Sequence, residues 1–256
     1  MNAARVAGAV ALRTWRKTFR RPVVLTFSFF QPLVWMLFFG FLFQRYPLEL
    51  YSAGTSYVSF LAPGVAAMTV LFGASQAGIS LVRDHQTGIL QRMLATPAGA
   101  GAQLAGKLGA DVLRLLAQAG VVLALGVAVG ARLEPDARAA AAAFAGLALF
   151  AAAVAAVSCA VALLVRAPEP MATFVQVVNM PVLFTSTALV PSRQMPEWLQ
   201  GVMTYNPLTL TVDGLRGALL FGIAPRIEPL AALAALAAAL FVLAALLLRR
   251  AERSPS

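Results

Sequence analysis

The chain has 256 residues, 60% hydrophobic and 12% charged, with a mean hydropathy of +0.80 and a formal net charge of +10. A soluble domain carries about 25% charged residues to cover its surface, so a water-soluble globule is excluded and lipid must solvate much of this chain. One cysteine, Cys159, and one histidine, His85, leave no material for an intramolecular disulfide, a thiolate cluster or a multi-histidine metal site.

Residues 1–22 come first. Arg13, Arg16, Lys17 and Arg20 share one helical face, and Leu12, Trp15 and Phe19 form an apolar stripe beside it. The pattern predicts an amphipathic helix lying in the membrane interface, bases toward anionic headgroups; the same bases equally serve as topology signals alone. A spanning helix needs about 20 mostly apolar residues. Six runs qualify: 23–43, 57–82, 108–131, 139–165, 171–190 and 229–248. The fold class predicted is therefore all-α integral membrane with six transmembrane helices, in one domain over 1–256. The first run is longer than a signal-peptide core and no small-residue cleavage site follows it, so it is expected to be retained. Its aromatics, from Phe27 to Phe43 with Trp35 among them, either face lipid and the interface or line a hydrophobic path. Pro32, Pro63 and Pro181 fall inside runs, which bundles tolerate when neighbours satisfy the freed carbonyls.

Between the second and third runs lies Arg83-Asp84-His85-Gln86-Thr87-Gly88, in which His85 reads as an interfacial surface histidine. Gly101 to Lys107 then has the G-x-x-x-x-G-K spacing of a phosphate-binding loop. Leu108 stands where that loop needs Ser or Thr for magnesium, so nucleotide binding by this chain is not expected. Lys107, Asp111, Arg114 and Gln118 are spaced i, i+4, i+7, i+11 on one face of the third run. A lipid-facing charge costs about 2.5–3.5 kcal/mol at the bilayer centre, so this face is expected to point inward or sit at the interface, with Asp111 and Arg114 spaced to pair. It reads as the polar lining of an entry, a contact with a moving helix, or an interfacial pair closing a helix end. Cys159, in the fourth run, reads as a small buried residue. No carboxylate pair sits mid-span, where an ion-coupled carrier would be expected to keep one.

From Pro191 to Glu228 the chain is too polar and too broken by proline to span simply, and short helices are predicted there. Asn206-Pro207 starts a helix with proline pre-set for its first position. Asp213 and Arg216 are spaced i, i+3 in a structural role. Orientation follows from the bases. Arg5, Arg13, Arg16, Lys17, Arg20 and Arg21 precede the first run with no acid among them. Arg83, Arg92, Lys107 and Arg166 fall on the same side, whereas the bases of the opposite loops are diluted by acids. Both termini are therefore expected in the cytoplasm.

Two stretches go beyond generic membrane chemistry. Arg83 to Pro97, followed by Gly106-Lys107, resembles the loop between the second and third spans of type-2 ATP-binding-cassette (ABC) permeases. Met195-Pro196-Glu197-Trp198-Leu199 through Tyr205-Asn206-Pro207 to Asp213-Gly214-Leu215-Arg216 resembles that family's segment before the last span. Order and layout match across nearly the whole chain, and the flavour is that of daunorubicin-resistance-type exporters.

The resemblance implies a permease subunit, not an enzyme, that exports a hydrophobic drug, antibiotic or lipid-like molecule. Lipo-oligosaccharide or polysaccharide export is the alternative, and an ATP-independent carrier a second one. The implied partners are a separate ABC ATPase subunit, a second permease copy and membrane lipid, with no nucleic acid. ATP and magnesium would bind the ATPase and no cofactor this chain. The setting would be a bacterial inner membrane. Arg83, Asp84, Gly88, Leu90, Arg92, Leu94 and Pro97 would couple to the ATPase, in a cytoplasmic loop that includes the short coupling helix docking on it. Trp198, Asn206, Pro207, Asp213 and Arg216 would shape an outer gate. Asp84 and His85 depart from the Glu- and Arg-rich sequences common at their positions.

Overall fold

The computed structural model describes residues 22–43, 56–90 and 99–253. The interface helix expected over 1–22 falls, but for Pro22, outside them, as do Arg92, Leu94 and Pro97. The described chain is helical: α1 (Pro22–Leu42), α2 (Tyr57–Gln86), α3 (Gly99–Val129), α4 (Ala137–Val165), α5 (Pro168–Phe184), α6 (Glu197–Tyr205), α7 (Pro207–Phe221) and α8 (Ile227–Arg253), with one 3-10 turn at Ser192–Gln194. No strand occurs among the described residues.

Among the described residues, four helical stretches are long and apolar enough to cross a membrane: Tyr57–Gln86, Gly101–Val129, Ala137–Val165 and Ile227–Arg250. The Phe30–Leu42 stretch of α1 is apolar but shorter, and α5 has 17 residues. The long helices alternate in direction. Phe43, Tyr57, Arg132 and α7 mark what we call the distal end, and Gln86, Lys107 and Arg166 the proximal end.

Helix ends follow local chemistry. Ser56 Oγ accepts from Ser59 N at the start of α2, and Asp136 Oδ2 from Arg138 N and Ala139 N at the start of α4. Such caps satisfy backbone donors that have no partner within the helix. Pro207 occupies the first turn of α7 and Asn206 caps it, as the Asn-Pro pair predicted. Gly222, at φ +63, ends that helix in the left-handed conformation that favours glycine.

α2 is the central helix and packs against α1, α3, α4, α5 and α7, while α8 lies on α4 and α3. Every residue from Leu61 to Val70 is buried, as expected of a helix apolar all round. Lipid tails are as apolar as leucine, so helices associate through close packing of small residues rather than by escaping solvent. A Cβ on Gly64 would collide with the Ala188 backbone, and one on Gly78 with the Ser158 carbonyl. These glycines bring α2 against the turn after α5 and against α4.

Two helices depart from the sequence-based bounds. α3 begins at Gly99, well before residue 108. Gly101 to Lys107 is thus the first turns of a helix and not the loop that a phosphate-binding motif requires. The fifth run was expected to continue to Val190, but α5 ends at Phe184 and residues 185–190 form a turn. Side chains close it: Thr185 Oγ1 donates to Pro181 O at 2.7 Å, and Ser186 Oγ to Leu183 O at 2.6 Å. Hydroxyls that bond their own backbone compete with helix continuation.

Candidate functional site

Three polar clusters lie along α2. The distal one centres on Arg216, which α7 presents to α2 and to the turn after α5. Its Nε donates to Phe60 O at 3.0 Å, and its Nη2 to Thr187 O at 2.7 Å and Ala188 O at 3.1 Å. Nη1 reaches Asp213 Oδ1 at 3.5 Å, the expected i, i+3 pair, although Asp213 is largely exposed. Asp213 Oδ1 also accepts from Thr187 Oγ1 at 2.8 Å. The guanidinium carbon stands 3.6 Å from the Phe60 ring centroid, a cation–π contact. Burial pushes the Arg216 pKa down to about 10, against the opposing pull of Asp213 and then Tyr57, so it stays charged at neutral pH.

Asn206 completes this cluster. Its Oδ1 caps α7 while its Nδ2 donates to Val182 O at 2.8 Å and Thr185 O at 2.9 Å. A helix end leaves its last carbonyls without donors. Here Asn206 supplies donors to the end of α5, and Arg216 to the turn beyond it. From Phe60 an aromatic column crosses to α1 and runs back along it: Tyr57 at 6.2 Å between centroids, Phe43 at 5.0 Å, Phe39 at 5.9 Å and Trp35 at 5.2 Å, each distance to the ring before it. Part of the aromatic crowding in the first run thus ties α1 to α2, whereas Phe30, Phe38 and Phe41 are exposed. Trp198 on α6 is exposed as well, at 72%, in line with Val202 and Tyr205.

About 27 Å along α2 from Tyr57, at 1.5 Å per residue, a second cluster joins α2, α4 and α5. Ser158 Oγ donates to Ser75 O and accepts from Gly78 N at 3.0 Å. Ser75 Oγ lies 2.9 Å from Asn179 Oδ1 and 2.8 Å from Leu71 O. The Asn179 Nδ2, fully buried, has no partner among the described residues. Sequence reasoning did not single out Ser75, Ser158 or Asn179; the available signal was a polar side chain inside an apolar run.

The third cluster is proximal. Lys107 Nζ lies 3.3 Å from Asp111 Oδ2, and both residues are only 8% exposed. The carboxylate therefore pairs with Lys107, not with Arg114 as expected. The i, i+4 partner shares its buried side, while half-buried Arg114 donates from Nη1 to Gln118 Oε1 at 3.4 Å. Gln118 is buried too. Cys159 of α4, fully buried as expected, and Asp84 of α2 both lie within electrostatic reach of Lys107. Beyond Asp84, Thr87 closes α2 through Oγ1 to Arg83 O at 2.9 Å, and Gly88 turns the chain at φ +68. Leu90 is buried, Arg83 exposed, and His85 half-buried. Asp84 and the Lys107–Asp111 pair are thus neighbours at one end, while Asn206, Asp213 and Arg216 gather around the turn after α5 at the other. No group of three His, Cys, Asp or Glu able to hold a metal occurs among the described residues.

A family model described as ABC-2 type transporter matches residues 6–220. Among curated relatives, a protein of Cyanophora paradoxa named as a transport permease, ycf38, is 32% identical over 199 residues, 77% of this chain and 68% of its own length. A ycf38 protein of Pyropia yezoensis bearing the same name is 32% identical over 212 residues, 81% of this chain and 72% of its own. The daunorubicin resistance ABC transporter permease protein DrrB1 of Streptomyces coeruleorubidus is 29% identical over 188 residues, 73% of this chain and 65% of its own.

Proposed function

We propose that this chain, which belongs to the ABC-2 type transporter family, is the permease subunit of an ATP-driven exporter for a hydrophobic drug, antibiotic or lipid-like molecule. The observation that carries the reading is the family match across residues 6–220, joined to likeness with a permease named for daunorubicin resistance. As a multi-pass membrane protein it would cross a bacterial inner membrane six times, α1 and α5 included, with both termini in the cytoplasm. The proximal end then faces the cytoplasm, and α6 and α7 lie outside. A second copy of the permease completes the pathway. ATP and magnesium are held by a separate ATPase subunit, and this chain binds neither.

In this reading the ATPases come together on ATP and draw on the segment from Arg83 to Pro97. The two access states interconvert because ATP and substrate bind them unequally. Motion of that segment reaches the bundle where it meets the buried Lys107–Asp111 pair, which has to be kept or exchanged as a unit because a lone buried charge is costly. At the outer end Asn206 and Arg216 hold the turn after α5 as part of the gate.

Reconstitution with the ATPase tests it. Charge reversal Arg92→Glu, or the bulky substitution Gly88→Val, should abolish substrate-stimulated ATP hydrolysis while leaving membrane insertion intact. Wild-type stimulation in both variants would sink the assignment of this segment.

A further inference from the structure

Only Arg166 and Ala167 separate α4 from α5. Arg166 is the one non-glycine residue at positive φ among the described residues, at φ 53 and ψ 10. Helices commonly end in this left-handed conformation, but on glycine or asparagine, because a Cβ there crowds the following carbonyl oxygen. The arginine is thus held where glycine would fit better. Its backbone N–H bonds Ala162 O at 3.0 Å. The guanidinium makes one long bond, Nε to Leu163 O at 3.4 Å, and forms no ion pair with a described residue. Pro168, at the start of α5, stiffens the corner from the other side.

The side chain does not stand alone. A notch lined by Leu81, Val82, Leu90, Ala162 and Leu163 has His85 and Arg166 among its lining residues as well. One wall thus comes from the end of α2 and the beginning of the α2–α3 segment, the other from the end of α4. Arg83 and Arg166 are exposed at this end, and Arg166 adds a planar fork suited to a carboxylate.

We infer that the Arg166 corner is a second docking point for the ATPase subunit, receiving an acidic side chain over the apolar notch that it shares with the α2–α3 segment. This rests on the reading of the chain as an ATPase-coupled permease. Continuity with that segment, and an exposed cation with no ion-pair partner among the described residues beside an apolar floor, favour a protein carboxylate as the occupant.

The experiment uses the full chain purified with the ATPase subunit that accompanies it in its native membrane, comparing wild type with Arg166→Gly, Arg166→Lys and Arg166→Glu. Arg166→Gly removes the charge and suits the left-handed backbone, so its melting temperature should equal or exceed that of wild type. ATPase retention and permease-dependent ATP hydrolysis should nonetheless fall about tenfold. Arg166→Glu should be worse, and Arg166→Lys should recover part of the loss. An Arg166→Gly chain that holds the ATPase like wild type would overturn the proposal and leave a structural corner. Loss confined to vesicles with anionic lipid, with association in detergent unchanged, would also overturn it and assign the corner to headgroups. A wild-type chain that retains no ATPase defeats the exporter reading itself, and this inference with it.

Discussion

Arg216 is 8% exposed and spends its donors on three carbonyls from two other parts of the chain. A lysine carries the same charge, but as a single point, and cannot bridge α2 and the turn after α5 together. Replacing Arg216 by methionine fills similar space and leaves the Thr187 and Ala188 carbonyls without their donor. A buried carbonyl left unpaired costs about 1–3 kcal/mol, so Arg216→Met should destabilise the detergent-solubilised protein by about 3 kcal/mol, and Arg216→Lys by roughly half as much. Equal melting temperatures for wild type and both variants would mean that the cluster carries no stability. From the sequence, the i, i+3 spacing of Asp213 and Arg216 was legible. Their buried partners, 26 to 156 positions away in the chain, were not, because nothing local in a sequence marks which carbonyl will be left over at a distant helix end.

Among the helices, α2 shows how one residue type has opposite effects by position. Gly64 and Gly78 face backbone atoms of the neighbouring segments, whereas Gly109, on α3, faces open space. Rigid backbone cannot step aside for a methyl group, so Gly64→Ala and Gly78→Ala should part the helices at a cost of about 1–3 kcal/mol. Gly109→Ala meets nothing and should stabilise its helix by about 0.5–1 kcal/mol. Unfolding of the three variants in mixed micelles checks the signs; destabilisation by all three would mean that helix contact is not what sets them apart. The apolar runs predicted α1, α2, α4 and α8 with small errors in their ends. α5 begins three residues before the expected start and ends six before the expected finish. Thr185, Ser186 and Thr187 are apolar enough to pass in a hydropathy window, yet each has a hydroxyl that bonds elsewhere. α3 was started too late because glycine and alanine add little hydropathy while still forming helix.

Taken together, the described chain has a central helix buried on all sides from Leu61 to Leu71 and faces that no described residue covers. Phe30, Val34, Phe38 and Phe41 of α1 are exposed, as are Val177 and Phe184 of α5, and lipid or a second copy must meet them. The exporter reading requires two permeases with two ATPases. Native mass measurement of the complex extracted in nanodiscs should therefore give two copies of this 26.9 kDa chain, and a complex with a single copy would rule out the paired conduit. By itself the sequence determined that the protein lives in lipid, that it is helical and roughly where the helices lie, because the low dielectric of a bilayer writes its demand for apolar length directly into composition. It also placed the loops whose likeness to ABC permeases led to the family. Only the tertiary structure decided which distant polar groups meet: Ser158 with Gly78, and Arg216 with the turn after α5. Those pairings depend on the rotation and crossing of helices, which small residues set through contact distances that no single run of sequence contains.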